Sequence, residues 1–197
     1  MIPRKLYSVF DKSTLVEHLC SLQGEDRRLR FGGTVSNNYI TEYVEASWEN
    51  GSTWFGYTMH SRIIAACHVA IDKEEAELGC SVDPEYRGYG LAQSMFDRAV
   101  TYLRSHNITK VYMHCLTENQ IMRHIARKND MTLVSCYGES DARVEVEPPT
   151  AMTALKDAYL DRMAMYDMLI RSQAEVYNSV LENLTNGAQK VHVSGRD

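Results

Sequence analysis

A mixed α/β fold, with a sheet carrying helices and a long helix appended at the C-terminus, is what the 197-residue chain predicts. Three observations carry that prediction. The run Val82-Asp83-Pro84-Glu85-Tyr86-Arg87-Gly88-Tyr89-Gly90-Leu91-Ala92 places a glycine-loosened turn between an apolar strand and an amphipathic helix. Three β-rich runs between Thr53 and Val82 are separated only by tight turns, the pattern of an antiparallel meander. Beyond Pro148-Pro149, two residues that end a sheet because neither can donate to a ladder, apolar residues recur at three- and four-residue steps.

In chain order, Lys5 to Phe10 alternates as a short edge strand, and Asp11 and Ser13 offer caps for a helix through Leu15, Val16 and Leu19. Gly32-Gly33 breaks the chain, leaving Asp26, Arg27, Arg28 and Arg30 in the loop between the first two helices. Ser36 or Asn37 caps the second helix, which holds Ile40, Tyr43 and Val44 and ends near Asn50-Gly51. Strands follow at Thr53–Met59, Arg62–Ile71 and Glu75–Val82, turned at His60-Ser61 and at Asp72-Lys73-Glu74. Met95, Phe96, Ala99, Val100 and Leu103 mark the helix after the glycine turn, with Asn107 as its C-cap. Thr109–Leu116 is a strand, Glu118–Lys128 a helix, and Met131–Tyr137 with Arg143–Glu147 a last strand pair. The order is β-α-α-β-β-β-α-β-α-β-β over residues 1–149. An extension over 150–186 follows, with Leu155, Tyr159, Met163, Tyr166, Ile170, Tyr177, Val180 and Leu184 on one stripe. A helix of roughly 35 residues is about 50 Å long, too long to be covered by a small domain, so a second copy of the chain is the expected partner. Residues 187–197 have no periodicity and read as a loose tail.

Composition removes several classes of function. With 44% hydrophobic and 24% charged residues the chain can fill one core. A formal net charge of −5 argues against a nucleic-acid binder that works by neutralising phosphates, though not against a small cationic ligand. No apolar run is long enough for a membrane span, and the N-terminus lacks a signal-peptide pattern. The five cysteines lack CxxC spacing, and the seven histidines form no HExxH or Cys/His cluster. Reduced thiols in a cytoplasmic protein without a structural metal are therefore expected.

The glycine turn carries the functional signal. The first N–H groups of a helix have no partner within it and sit at the positive end of its dipole, so they favour an anion such as a pyrophosphate. Gly88 and Gly90 let that anion approach the backbone. A P-loop would need Lys and Ser/Thr after Gly90, where Leu91 and Ala92 stand, and the dinucleotide fingerprint would need a small residue at Gln93. Arg87-x-x-Gly90-x-Ala92 resembles instead the pyrophosphate signature of the GNAT family of N-acetyltransferases. The resemblance runs from about Lys5 to Val146: Ala76 to Val82 looks like the family's fourth strand, and Asn119 to Lys128 like its last core helix.

That resemblance implies an acetyl-CoA-dependent enzyme whose sheet splays between the fourth and fifth strands. It places Cys80, Ser81, Val82, Arg87, Gly88, Tyr89, Gly90, Leu91, Ala92 and Asn119 along the cofactor, with a bulge near Cys80 to Val82 freeing an N–H for the oxyanion. Acetyl transfer to an amine needs a base, because an alkylamine with pKa about 10.4 is protonated at neutral pH. Glu77, in the strand position where branches of the family carry a glutamate, is the candidate. Two departures stand out: the position of the family's tyrosine acid holds Ala126, and Asp130-Met131 replaces Gly-Phe. The loss of the acid leaves room for an alternative, a non-catalytic acyl-CoA-binding module that presents its C-terminal helix to a partner. His114 and Cys115 are adjacent on a strand and point to opposite faces, so they make no thiol–imidazole pair. His68 and His114 are read as packed or pocket-lining groups. The residues do not identify the acceptor amine.

Overall fold

The computed structural model describes residues 2–193, and over 171–172, 175–176 and 178–193 it describes the backbone. Strand β1 (Arg4–Leu6) is shorter than the sequence suggests, because a capping box turns the chain early. Ser8 Oγ accepts the Asp11 N–H and the Asp11 carboxylate accepts the Ser8 N–H, each at 3.0 Å, so helix α1 (Val9–Ser21) starts two residues ahead of the expected caps. A second correction follows. The expected loop with Asp26 to Arg30 is a helix, α2 (Gly24–Phe31). Ser36 caps α3 (Asn37–Glu49), and Asn50-Gly51 closes it as expected.

Strands β2 (Thr53–Met59), β3 (Arg62–Asp72) and β4 (Glu75–Val82) form the antiparallel meander. His60 and Ser61 both take positive φ in the first turn, the requirement of a tight hairpin. A 3-10 turn, Pro84–Tyr86, leads to α4 (Leu91–Ser105). Then come β5 (Lys110–Leu116), α5 (Gln120–Lys128), β6 (Thr132–Cys136), β7 (Glu139–Glu145) and α6 (Ala151–Val193). The last hairpin turns at Tyr137-Gly138, both at positive φ, so β7 begins four residues before the expected Arg143.

The sheet order is β1-β2-β3-β4-β5-β7-β6, antiparallel except where β4 meets β5. One face packs α4 and α5 over Phe55, Leu78, Met95, Leu103 and Val111; the other packs α1 and α3 over Leu15, Leu19, Ile40, Val44 and Trp54. Each of these side chains is essentially inaccessible to water, and burial of this kind is the main stabilising term of the fold.

Helix α6 docks through a polar face and not through its apolar stripe. Thr153, Asp157 and Ala164 are buried against the domain, and Arg98 of α4 holds Asp157 at 2.5 Å and also pairs with Asp161. The apolar stripe lies on another face from its first turn: Leu155, Tyr159, Tyr166, Ile170 and Tyr177 are all exposed. Polar anchoring overrides the hydrophobic pattern here, because Arg98 needs its carboxylates more than α4 needs more apolar cover. The helix also runs through Val193, past the expected end at residue 186. The side chains of Val180 and Leu184, like residues 194–197 of the expected tail, lie outside the described residues. Among the described residues no helix is long and apolar enough to cross a membrane.

Candidate active site

Strands β4 and β5 pair over three positions only, Glu75↔Lys110, Ala76↔Val111 and Glu77↔Tyr112, and then part. On its other side β4 stays in uninterrupted register with β3 from Asp72↔Glu75 to Ala65↔Val82. The expected bulge in β4 is therefore absent, and free donors arise in another way. Asp83 N–H donates to Ile64 C=O at 2.9 Å, so strict antiparallel alternation turns the N–H and C=O groups of Cys80 and Val82 away from β3. They face the gap that β5 has left.

The open edge runs into the glycine turn. Gly88 and Gly90 sit at φ +82° and +74°, and no heavy atom lies within 4 Å of where a Cβ would be at either position. No side chain caps the start of α4, which leaves its first N–H groups directed at the space above the turn. A cleft of about 390 Å³ results, bounded by α2, the edge of β4, the turn and α5. Cys80, Ser81, Val82, Arg87, Gly88, Gly90, Leu91, Ala92 and Asn119 all border it, whereas Tyr89 does not line it and is 78% exposed. Glu77 does not border this cleft; it stands half-buried at the last paired position before the strands part.

Several cleft residues are already engaged. Arg87 forms an ion pair with Asp26 at 2.7 Å and reaches Val82 C=O at 3.4 Å. Asn119 accepts the Met122 N–H at 3.1 Å as the cap of α5 and donates to Leu29 C=O at 3.4 Å. Arg28 pairs with Glu118. Helix α2 is thus tied to the turn and to the start of α5, and closes one side of the cleft. These ties were hidden in the sequence, since a charged stretch of eight residues has little helical periodicity to read.

The face of β4 that carries Glu77, Gly79 and Ser81 holds His68, expected as a packed or pocket-lining group, and His18, which the sequence did not single out. His18 of α1 meets Ser81 Oγ through Nε2 at 2.9 Å. Burial, with the nearby charge of Arg30, lowers its pKa to about 4. His68, opposite Gly79 in the register, meets Tyr43 Oη through Nδ1 at 2.7 Å and stacks on Trp54. Its pKa falls to about 3 for the same two reasons. His114 is an exposed residue held by Asp141 at 2.8 Å, and that hydrogen bond raises its pKa. Cys115 is buried in the core on the opposite face of β5, where burial raises its thiol pKa and removes it from chemistry. Ala126 is fully buried, so α5 presents no acid at that position. Among the described residues no group of three or more His, Cys, Asp or Glu could hold a metal ion.

An open strand edge leading to an uncapped helix behind two positive-φ glycines could hold an acyl-CoA: the edge suits the amides of a pantetheine arm and the turn suits a pyrophosphate. The chain belongs to the acetyltransferase (GNAT) family, whose model matches residues 19–131. That match makes it an acetyltransferase. Solved structures share the fold. The GNAT domain of PAT from S. lividans superposes with a TM-score of 0.60 at 16% identity, covering 73% of this chain and 88% of that one. Ribosomal-protein-alanine N-acetyltransferase from Brucella melitensis gives 0.58 at 9%, covering 72% and 99%. PaiA N-acetyltransferase from Thermoplasma acidophilum, in complex with coenzyme A, gives 0.55 at 15%, covering 74% and 99%. No curated protein sequence matches the chain.

Proposed function

We propose that the enzyme transfers acetyl from acetyl-CoA directly to a primary amine in a ternary complex, with Glu77 as the general base. The observation that carries the reading is the parting of β4 and β5 just beyond Glu77, which leaves the Cys80–Val82 edge open towards the cleft. Glu77 takes a proton from the ammonium form of the acceptor; the amine nitrogen then attacks the thioester carbonyl carbon, the C–S bond breaks, and the departing CoA thiolate takes up the proton that the nitrogen sheds as the amide forms. Cys80 and Val82 offer N–H groups where charge develops on the carbonyl oxygen. Gly88, Gly90 and the first turn of α4 hold the phosphates. Alanine at position 126 supplies no acid for the thiolate, and a thiol with pKa about 8.5 needs little help to leave. The five cysteines are free, which suits a reducing cytoplasm.

We further propose that the exposed stripe of α6 pairs with a second copy of the chain, since apolar side chains in such a row usually mark an interface.

The test of the catalytic reading is Glu77→Gln. The change is nearly isosteric, so acetyl-CoA should still raise the melting temperature. Turnover should fall by on the order of 10²–10⁴. Unchanged turnover would remove Glu77 from the chemistry.

A further inference from the structure

Arg30, near the end of α2, borders the cleft and lays its guanidinium flat on β4 over Gly79. A Cβ at Gly79 would stand 3.1 Å from Cζ, Nη1 and Nη2 alike, so the missing side chain is what admits the group. The rings of Phe31 and Tyr43 flank it at 5.1 and 5.7 Å. Nη2 donates to Tyr43 Oη at 3.3 Å, while Nε is buried without a partner. Among the described residues no carboxylate lies within ion-pair distance of Arg30.

Its neighbours do not supply the missing anion. The groups that surround it are the imidazoles of His18 and His68, both held neutral at physiological pH, the Tyr43 hydroxyl and the thiols of Cys67 and Cys80. His68 Nε2 is a second buried polar atom without a partner, directly across the register from Gly79. A guanidinium is permanently charged, and a desolvated one without an anion is costly to keep. Such a group is held ready for an anion that the chain itself does not provide.

Position narrows the identity of that anion. The phosphates of the cofactor belong at Gly88 and Gly90, beyond the end of β4, whereas Arg30 covers the middle of the strand. Glu77 lies two residues away on the same face, about 7 Å along the strand, yet forms no ion pair with Arg30. A negative and a positive group set side by side and unpaired suit a zwitterion, with its ammonium towards Glu77 and its carboxylate on the fork of the guanidinium.

We propose that Arg30 binds a carboxylate of the acceptor, and that the acceptor is therefore an amino acid or a closely related amine with an adjacent carboxylate. The proposal rests on the transfer reading above, and two measurements separate their failures. In the first, the full-length enzyme with acetyl-CoA is offered L-amino acids and their α-carboxamides, scored by CoA release. The acids should be preferred in kcat/KM by on the order of 10², the worth of a charge-assisted hydrogen-bond pair. Arg30→Gln should erase that preference, Arg30→Lys should keep part of it, and Gly79→Ala should weaken it by displacing the guanidinium. Equal use of acids and amides by the wild type, or a preference untouched in Arg30→Gln, overturns the proposal.

The second measurement needs no turnover. N-acetylglycine and N-acetylglycinamide are titrated calorimetrically into the CoA-saturated protein. Binding of the acid alone, lost in Arg30→Gln, supports the carboxylate site even if no amine is acetylated, in which case the transfer reading fails by itself. Binding of neither probe, or of both equally, overturns the carboxylate site whatever the activity.

Discussion

Gly90 shows how one residue can serve geometry and chemistry together. Its φ of +74° ends the turn in the left-handed region, where a Cβ costs roughly 1–2 kcal/mol, and its Cα faces open cleft. Gly90→Glu adds bulk and negative charge where phosphate belongs, so acetyl-CoA should no longer raise the melting temperature of that variant. Gly51→Ala, at φ +72° in a turn that does not border the cleft, should lose comparable stability and keep the thermal shift. Equal shifts for wild type and Gly90→Glu would remove the turn from cofactor binding.

At the same scale, His18 and His68 make stability depend on pH. Each has an ordinary pKa of 6.5 when unfolded and about 4 or 3 in the fold, so as pH falls the unfolded chain takes up the protons first. Stability is therefore full above about pH 6.5 and declines below it, by about 1.4 kcal/mol per pH unit for each imidazole. His18→Gln can keep a hydrogen bond to Ser81 and should roughly halve the slope, as read from urea midpoints between about pH 7 and 5. An unchanged slope would place the titration elsewhere. His68 was read from the sequence as a packed or pocket-lining group, but His18 was not singled out, since only the fold brings α1 and β3 to the same patch of β4.

Among the elements, α2 and α6 were the least legible. Leu29 and Phe31 are the only large apolar residues of α2, and its role comes from charges: Asp26 on Arg87, Arg28 on Glu118, and Arg30 on Gly79. Contacts spanning up to 90 positions leave no local pattern in the chain. The face of α6 that docks is equally hidden, because its central residue is Asp157, which also accepts from Ser105 Oγ at 2.7 Å. Asp157→Ala leaves Arg98, 2% exposed, with the solvent-facing Asp161 alone. The loss should be about 3–5 kcal/mol in denaturant unfolding, as for other broken buried pairs. Lys156→Ala, one residue away and exposed, should stay within about 0.5 kcal/mol. Similar losses for the two variants would mean that the Arg98 cluster does not anchor the helix.

For the molecule as a whole, the proposed pairing of two copies rests on the exposed row Leu155, Tyr159, Tyr166, Ile170 and Tyr177. Light scattering at micromolar concentration should report a dimer of the full chain. Tyr159→Lys with Ile170→Glu should give a monomer that still binds acetyl-CoA, since neither residue borders the cleft. A monomeric wild type would leave the row as plain surface.

The sequence by itself determined the meander, the glycine turn, the helix behind it and the family, because each rests on contacts or φ preferences within a few residues. It also picked out residues that border the cleft, Tyr89 excepted, since a strand edge and a helix start are local objects. Tertiary structure alone decided that β4 is unbulged and opened by the departure of β5, that α2 closes the cleft, that α6 turns its apolar row outward, and that Arg30 lies half-buried on β4 opposite no anion. Those are matters of pairing between distant segments, where desolvated charge outweighs local pattern.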